Sequence, residues 1–156
     1  MGLGKQSKTL NKSQIQMVSN HLRNGRNGLR NQTIFLLSVK SGLRAKEISQ
    51  LSWKEVCNSD GQVDTQINLS NQTSKGNSGR VIPLHKSVRE NLIELLERHH
   101  KCRSFNLNSS FVIRTERSPF HNIANDHQHV PEVVSYFRSD WMFITQRSTD
   151  FHHRNI

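Results

Sequence analysis

Cysteine, proline and tyrosine are scarce in these 156 residues, with two, three and one of each. Cys57 and Cys102 form no CxxC pair, which removes support for a disulfide framework or a zinc ribbon. No apolar run approaches the roughly 18 residues of a membrane span, and the N-terminus lacks the apolar stretch of a signal peptide. The expectation is a soluble, cytoplasmic chain without a membrane partner. Gly2 is followed at position 6 by Gln6 rather than Ser or Thr, so myristoylation has no support. The opening GLGKQSK is not read as a phosphate loop, because Lys5 is followed by Gln6 and no strand precedes it. Hydrophobic residues are also few, 33%, against about 45–50% in globular domains. A core is therefore not expected along the whole length. Acidic residues number 12 against 22 Lys plus Arg, giving a net charge of +10. That balance bears on partners rather than fold, and it points to nucleic acid or another anionic surface.

The charge is uneven. Residues 1–117 hold 19 Lys/Arg and 8 Asp/Glu, a net +11, whereas residues 118–156 hold 3 and 4, a net −1. The second stretch also has five of the nine histidines and almost no periodic pattern. Two units follow, 1–117 and a divergent tail, 118–156.

Periodicity fills most of the first unit. Asn11 with Gln14 three residues on reads as a capping box, and Ile15, Val18 and Leu22 continue as a helical stripe. Gly25, Asn27 and Gly28 interrupt it. A second helix is expected from about Arg30 to Ser41, apolar nearly all round and therefore central, with Gly42 suited to the left-handed position that ends it. A third runs from Ala45 to about Leu51, with Trp53 and Val56 extending its apolar side. Val63, Ile67 and Leu69, then a polar stretch from Asn71 to Gly79, then Val81 to Leu84 read as two short strands joined by a cation-bearing loop. Val88, Leu92, Leu95 and Leu96 predict an amphipathic helix over Ser87–Arg98, and Phe111-Val112-Ile113 a last short strand. The fold class expected is mainly α with a small antiparallel β-sheet.

Three pieces carry chemistry together: SGLRAKEISQLSW from Ser41 to Trp53, Thr73-Ser74-Lys75-Gly76 in the loop, and Gly79-Arg80-Val81-Ile82-Pro83-Leu84. Taken singly, Arg44, Glu47 and Lys75 read as solvated surface residues. Their co-occurrence changes that. In this order and spacing they resemble the catalytic domain of the tyrosine recombinases, the phage-integrase family, over roughly residues 9–117. That family's first box has the form T-G-L-R-x-x-E-[IL]-x-x-L-x-W, followed by a hairpin lysine and a strand ending R-x-I-P-L.

The resemblance implies a tyrosine attacking a DNA phosphodiester, giving a phosphotyrosine bond and a free 5′-hydroxyl without metal or cofactor. The transition state gathers negative charge on the non-bridging oxygens, which a guanidinium meets with paired donors. By resemblance Arg44 is the first of two catalytic arginines, Glu47 its acidic partner and Lys75 the general acid for the leaving oxygen. Lys46, Lys75 and Arg80 are the expected DNA contacts, with Gly76 and Gly79 letting the loop reach the duplex. Double-stranded DNA is the expected partner, and an intact recombinase a second one. His99, His100 and Cys102 are not read as a metal site, since adjacent histidines point apart on a helix.

Beyond residue 117 no His-x-x-Arg box follows; His153-Arg154 has the wrong spacing, and Tyr136, the only tyrosine, lies upstream of the nucleophile's place. No core-binding domain of the family's kind is expected within the residues ahead of the first helix. Read one nucleotide further along from about Ser118, the gene can encode across Val130–His153 a string containing HSGR. Trp141 before Met142 then forces Gly, and Met142 before Phe143 forces Cys. The tail is accordingly read as a frameshift product. Three functions stay open at this point: a strand-breaking recombinase, a basic DNA-binding module that does not cut, and a remnant that folds poorly.

Overall fold

The structure is a computed structural model, and it describes residues 10–71 and 79–114. Five helices and one hairpin make up these residues. The first helix, α1 (Lys12–Arg23), begins at the expected capping box: Asn11 Oδ1 accepts the Gln14 N–H at 2.9 Å, and Gln14 Oε1 accepts the Asn11 N–H at 2.9 Å. Val18 is buried, and Ile15 and Leu22 pack half-buried beside it, so the stripe faces the core.

Helix α2 (Gly28–Ser41) is the central element, with Leu29, Ile34, Phe35, Leu36 and Leu37 all buried. It starts two residues before the expected Arg30, at a glycine that reads in sequence as a break. The cause is tertiary: a Cβ on Gly28 would stand 1.9 Å from the Arg23 carbonyl oxygen. Only glycine lets the start of α2 pass that close to the end of α1. Asn27 takes the left-handed turn ahead of it, at φ 56°, a conformation Asn tolerates better than most residues. At the other end Gly42 is left-handed (φ 65°), and its N–H bonds the Ser38 carbonyl at 3.1 Å.

The helix expected from Ala45 to about Leu51 is α3 (Ala45–Gln50). Trp53 and Val56, expected to extend its apolar side, stand on a separate short helix, α4 (Trp53–Val56), with Leu51 and Ser52 extended between the two. Ser52 starts α4 as a second capping box. Glu55 Oε2 accepts both the Ser52 N–H, at 3.0 Å, and its hydroxyl, at 2.8 Å. The pattern Ser-x-x-Glu is a helix-start signal in its own right, and it separates α4 from α3.

Strands β1 (Gln66–Leu69) and β2 (Arg80–Pro83) form an antiparallel pair in the register Gln66↔Pro83, Ile67↔Ile82, Asn68↔Val81, Leu69↔Arg80. Ile67 and Leu69 point into the core and Asn68 outward, the alternation of a half-buried strand. Val63 stands outside β1, in an isolated bridge to Cys57. Helix α5 (Lys86–His100) outlasts its expected limits at both ends and packs Val88, Leu92, Leu95 and Leu96 inward. The strand expected at Phe111–Ile113 is a single bridge, Phe111↔Ser52. Around it Trp53 donates to the Ser110 carbonyl at 3.1 Å and Val112 to that of Leu51 at 2.8 Å. The extended break between α3 and α4 offers too few backbone groups for more.

Helices α1 and α5 both pack against α2, while α4 backs onto β1. Arg23 of α1 bonds both oxygens of Glu94 of α5 at 2.8 and 2.6 Å. Gln32 of α2 donates to Ser19 Oγ and accepts from Asn91, each at 2.9 Å, so all three helices are also joined by polar bonds. The architecture is mainly α with a small antiparallel sheet, and its core gathers around Leu37, Ile48, Leu51, Trp53, Val56, Ile67, Val88 and Leu92. Among the described residues no helix is long and apolar enough to cross a membrane.

Candidate functional site

The turn after α2 presents Arg44. Gly42 reverses the backbone, buried Leu43 anchors the turn in the core, and Arg44 follows in an extended conformation at the head of α3. Its side chain is 62% exposed. One turn of helix later Glu47 points back beneath it, and this carboxylate is 2% exposed. An isolated buried carboxylate is costly, so its partners define the site.

Glu47 has two, and both are arginines. Glu47 Oε2 accepts the Arg44 backbone N–H at 2.8 Å, and Oε1 lies 3.4 Å from Arg44 Nη1. Across the fold Arg80, the first residue of β2, places Nη1 3.0 Å from Oε1 and Nη2 3.0 Å from Oε2. That is a fork-to-fork pair, the geometry in which a guanidinium is best matched to a carboxylate. Burial pushes the Glu47 pKa up. The Arg80 bonds, the Arg44 N–H and the charges of both arginines more than offset it, holding the group below its ordinary value and ionised at neutral pH.

The two arginines therefore differ. Arg80 is 37% exposed, with both terminal nitrogens on Glu47. Arg44 makes one long side-chain contact and holds to the carboxylate mainly through its backbone. Its guanidinium is the more available of the two for an outside anion. Lys46, on α3 between Arg44 and Glu47, is exposed. Thus Arg44, Glu47 and Arg80 come together, Lys46 stands beside them on the surface, and Lys75, with Gly76, lies outside the described residues.

The roots of the loop that carries Lys75 are within them. Ser70, just past β1, donates its N–H to Glu55 Oε1 at 2.9 Å, so the carboxylate that starts α4 also holds the strand end. Asn71 Oδ1 accepts the Gly79 N–H at 2.7 Å and closes the loop at its base. A Cβ on Gly79 would stand 2.8 Å from the Leu69 carbonyl oxygen and 2.9 Å from Asn71 Oδ1. The glycine's observed part is this close approach. Glu55 and Asn71 are positioning residues that the motifs do not name. The Ser52-x-x-Glu55 pattern was a readable signal for the first, and nothing in sequence marked the second.

A His-x-x-Arg string does stand within the first unit, from His100 to Arg103. It lies at the exposed C-terminal end of α5, where His100 packs edge-on against Phe105 with ring centroids 4.7 Å apart. His99 is engaged differently: its Nδ1 accepts the Trp53 indole N–H at 3.0 Å. Burial, then the positive charges of Arg114 and His100, push its pKa down to about 4. Cys57 is likewise pushed up to about 11 by burial and stays a thiol. Among the described residues no group of three or more His, Cys, Asp or Glu could hold a metal ion.

The family model described as the phage integrase family matches residues 8–151. No curated protein and no solved structure matches the chain. That match covers most of the length, and the chain belongs to the phage integrase family of site-specific tyrosine recombinases.

Proposed function

We propose that the chain is a double-stranded-DNA-binding protein, that its inherited role is DNA integration and recombination, and that alone it does not cut. The observation that carries the reading is Arg44, exposed on a turn whose backbone is fixed by the buried Glu47 carboxylate. A guanidinium held in that way meets phosphate oxygens with little reorganisation. Lys46 and Lys75 supply further phosphate contacts, and Lys75 retains the family's general-acid position. Arg80, the other contact expected from sequence, has its fork turned to Glu47. No cofactor or metal enters.

Cleavage needs an attacking group that a positioned arginine cannot replace. Tyr136 does not match the nucleophile's place, and no His-x-x-Arg string falls beyond residue 117. We read 1–117 as the partial catalytic unit and 118–156 as a divergent tail produced by a shifted reading frame, although the family match runs on to residue 151; the gene's nucleotide sequence checks this directly. A stop codon in the shifted frame across this stretch overturns that part. An intact recombinase is the natural second partner of such a chain, as a competitor for the same DNA.

The test is binding to duplex DNA as a function of salt. Log K is expected to fall linearly with log salt, with Arg44→Ala lowering the slope by about 0.9, the value for one phosphate contact. A flat salt response refutes DNA binding. A nicked suicide duplex is expected to give no covalent adduct; an adduct at a tyrosine refutes the loss of cleavage.

A further inference from the structure

We infer that Arg80 is a positioning residue that acts on Arg44 through Glu47, rather than a DNA contact in its own right. This rests on the reading that Arg44 meets phosphate.

The geometry gives three reasons. First, Arg80 places Nη1 and Nη2 each 3.0 Å from a different oxygen of Glu47. A phosphate competing for Arg80 would have to break two charge-assisted bonds and leave a carboxylate in the interior with only Arg44 to balance it. Second, the same two oxygens hold Arg44, Oε2 at its backbone N–H and Oε1 at its guanidinium. A carboxylate is planar, so fixing both its oxygens from the β2 side fixes the directions in which it can accept from α3. Removing the fork frees the Glu47 torsions and with them the anchor of the Arg44 turn. Third, Arg80 follows directly on Gly79, whose N–H closes the loop base on Asn71. The pair therefore ties the root of the hairpin loop to the Arg44 turn.

A point charge would not do this. A lysine at position 80 would keep the charge but offer no planar pair of donors. Arg80→Lys is therefore expected to behave like Arg80→Gln, whereas a residue acting through charge alone would be rescued by lysine.

The experiment has two arms on the full chain. Without DNA, the Glu47 carboxyl carbon and the Arg44 side-chain N–H are followed by NMR in the native chain, Arg80→Lys and Arg80→Gln. Both variants are expected to raise the pH midpoint of Glu47 and to move the Arg44 signal toward that of a solvent-exposed arginine. An unchanged Arg44 signal in a folded variant overturns the inference. So does loss of the folded amide spectrum in both variants, since Arg80 would then be a stability residue.

With duplex DNA, Arg44→Ala and each Arg80 variant are expected to lower the salt slope by a similar amount, at most about 0.9. The double variant is expected to fall no further than Arg44→Ala alone. Additive losses, totalling about 1.8, make Arg80 a phosphate contact and overturn the inference. If the native chain shows a flat salt response, the DNA reading fails by itself. The first arm then still decides whether Arg80 positions Arg44.

Discussion

Replacing Glu47 by glutamine removes one charge and nearly no volume, and it leaves both arginines facing a neutral amide. The native carboxylate accepts from Arg44 N–H at 2.8 Å and from Arg80 at 3.0 Å twice, with the longer Arg44 Nη1 contact at 3.4 Å. Breaking a fully buried ion pair costs about 3–5 kcal/mol, mostly because the surviving charge is stranded. Here the carboxylate is 2% exposed but the surviving arginines are 37% and 62% exposed. Water can reach them, so the larger part of that penalty is relieved and about 2 kcal/mol is expected. The amide NH₂ also turns a donor toward guanidinium donors, which prevents any recovery below about 1 kcal/mol. In urea, where m is about 1–3 kcal/mol/M, the midpoint should drop by roughly 1 M.

The same variant carries a pH signature. The Glu47 pKa is lowered in the folded chain. Its stabilisation is therefore complete above the unfolded carboxyl value and is lost as pH falls through the lowered folded value. Urea midpoints of native chain and Glu47→Gln should be furthest apart at neutral pH and converge in acid. A difference of less than about 0.5 kcal/mol at pH 7 would place the effect among ordinary surface changes, and a gap that widens in acid would reverse the sign. Either result refutes the account of Glu47 as the buried anchor of the turn.

Two further perturbations test other parts of the site. Gly79→Ala pushes a methyl group to within 2.8 Å of the Leu69 carbonyl and 2.9 Å of Asn71 Oδ1, and thermal melting should show a loss of about 1–2 kcal/mol; a melt unchanged from the native chain refutes the close approach. At His99 the folded pKa is about 4, below the free imidazole's, so the unfolded chain binds the proton first and stability falls as pH drops from about 6.5 to about 4. Discounted for the ring's partial exposure, the fall is about 1–2 kcal/mol, and His99→Phe should abolish that part of the urea-midpoint profile; an equal pH dependence in the variant sinks the assignment.

The parts of the fold legible in sequence are those whose causes are local. The capping box of Asn11 and Gln14, the stripe of α1, the glycine ending α2 and the alternation of β1 all stand where their neighbours in the chain require them. What sequence missed is set by approach between distant segments. Gly28 reads as a breaker until the Arg23 carbonyl is seen against it. Phe111 to Ile113 have strand-like residues but meet only the two-residue break between α3 and α4. At the site the motifs located Arg44, Glu47 and Arg80, yet not the bond that organises them. Glu47 and Arg80 are 33 residues apart, and a composition of 22 Lys plus Arg and 12 Asp plus Glu gives no way to say which pair.

That pairing also narrows what the net charge of +10 means at the site. Charge counted along the chain treats every Lys and Arg as available to an anion. In the folded unit Arg80 turns both terminal nitrogens to Glu47, and Arg23 turns Nη2 to both oxygens of Glu94 and Nη1 to Gln32. Two arginines about one carboxylate leave a local excess of one positive charge, and exposure assigns it to Arg44 rather than to Arg80. Without the carboxylate, two guanidiniums brought to one place would repel each other and scatter into solvent. With it, one is locked and the other is held by its backbone with its side chain outward. On the proposed reading, the buried acid thus does not weaken the site by cancelling charge; it locks Arg80 and leaves the Arg44 guanidinium outward.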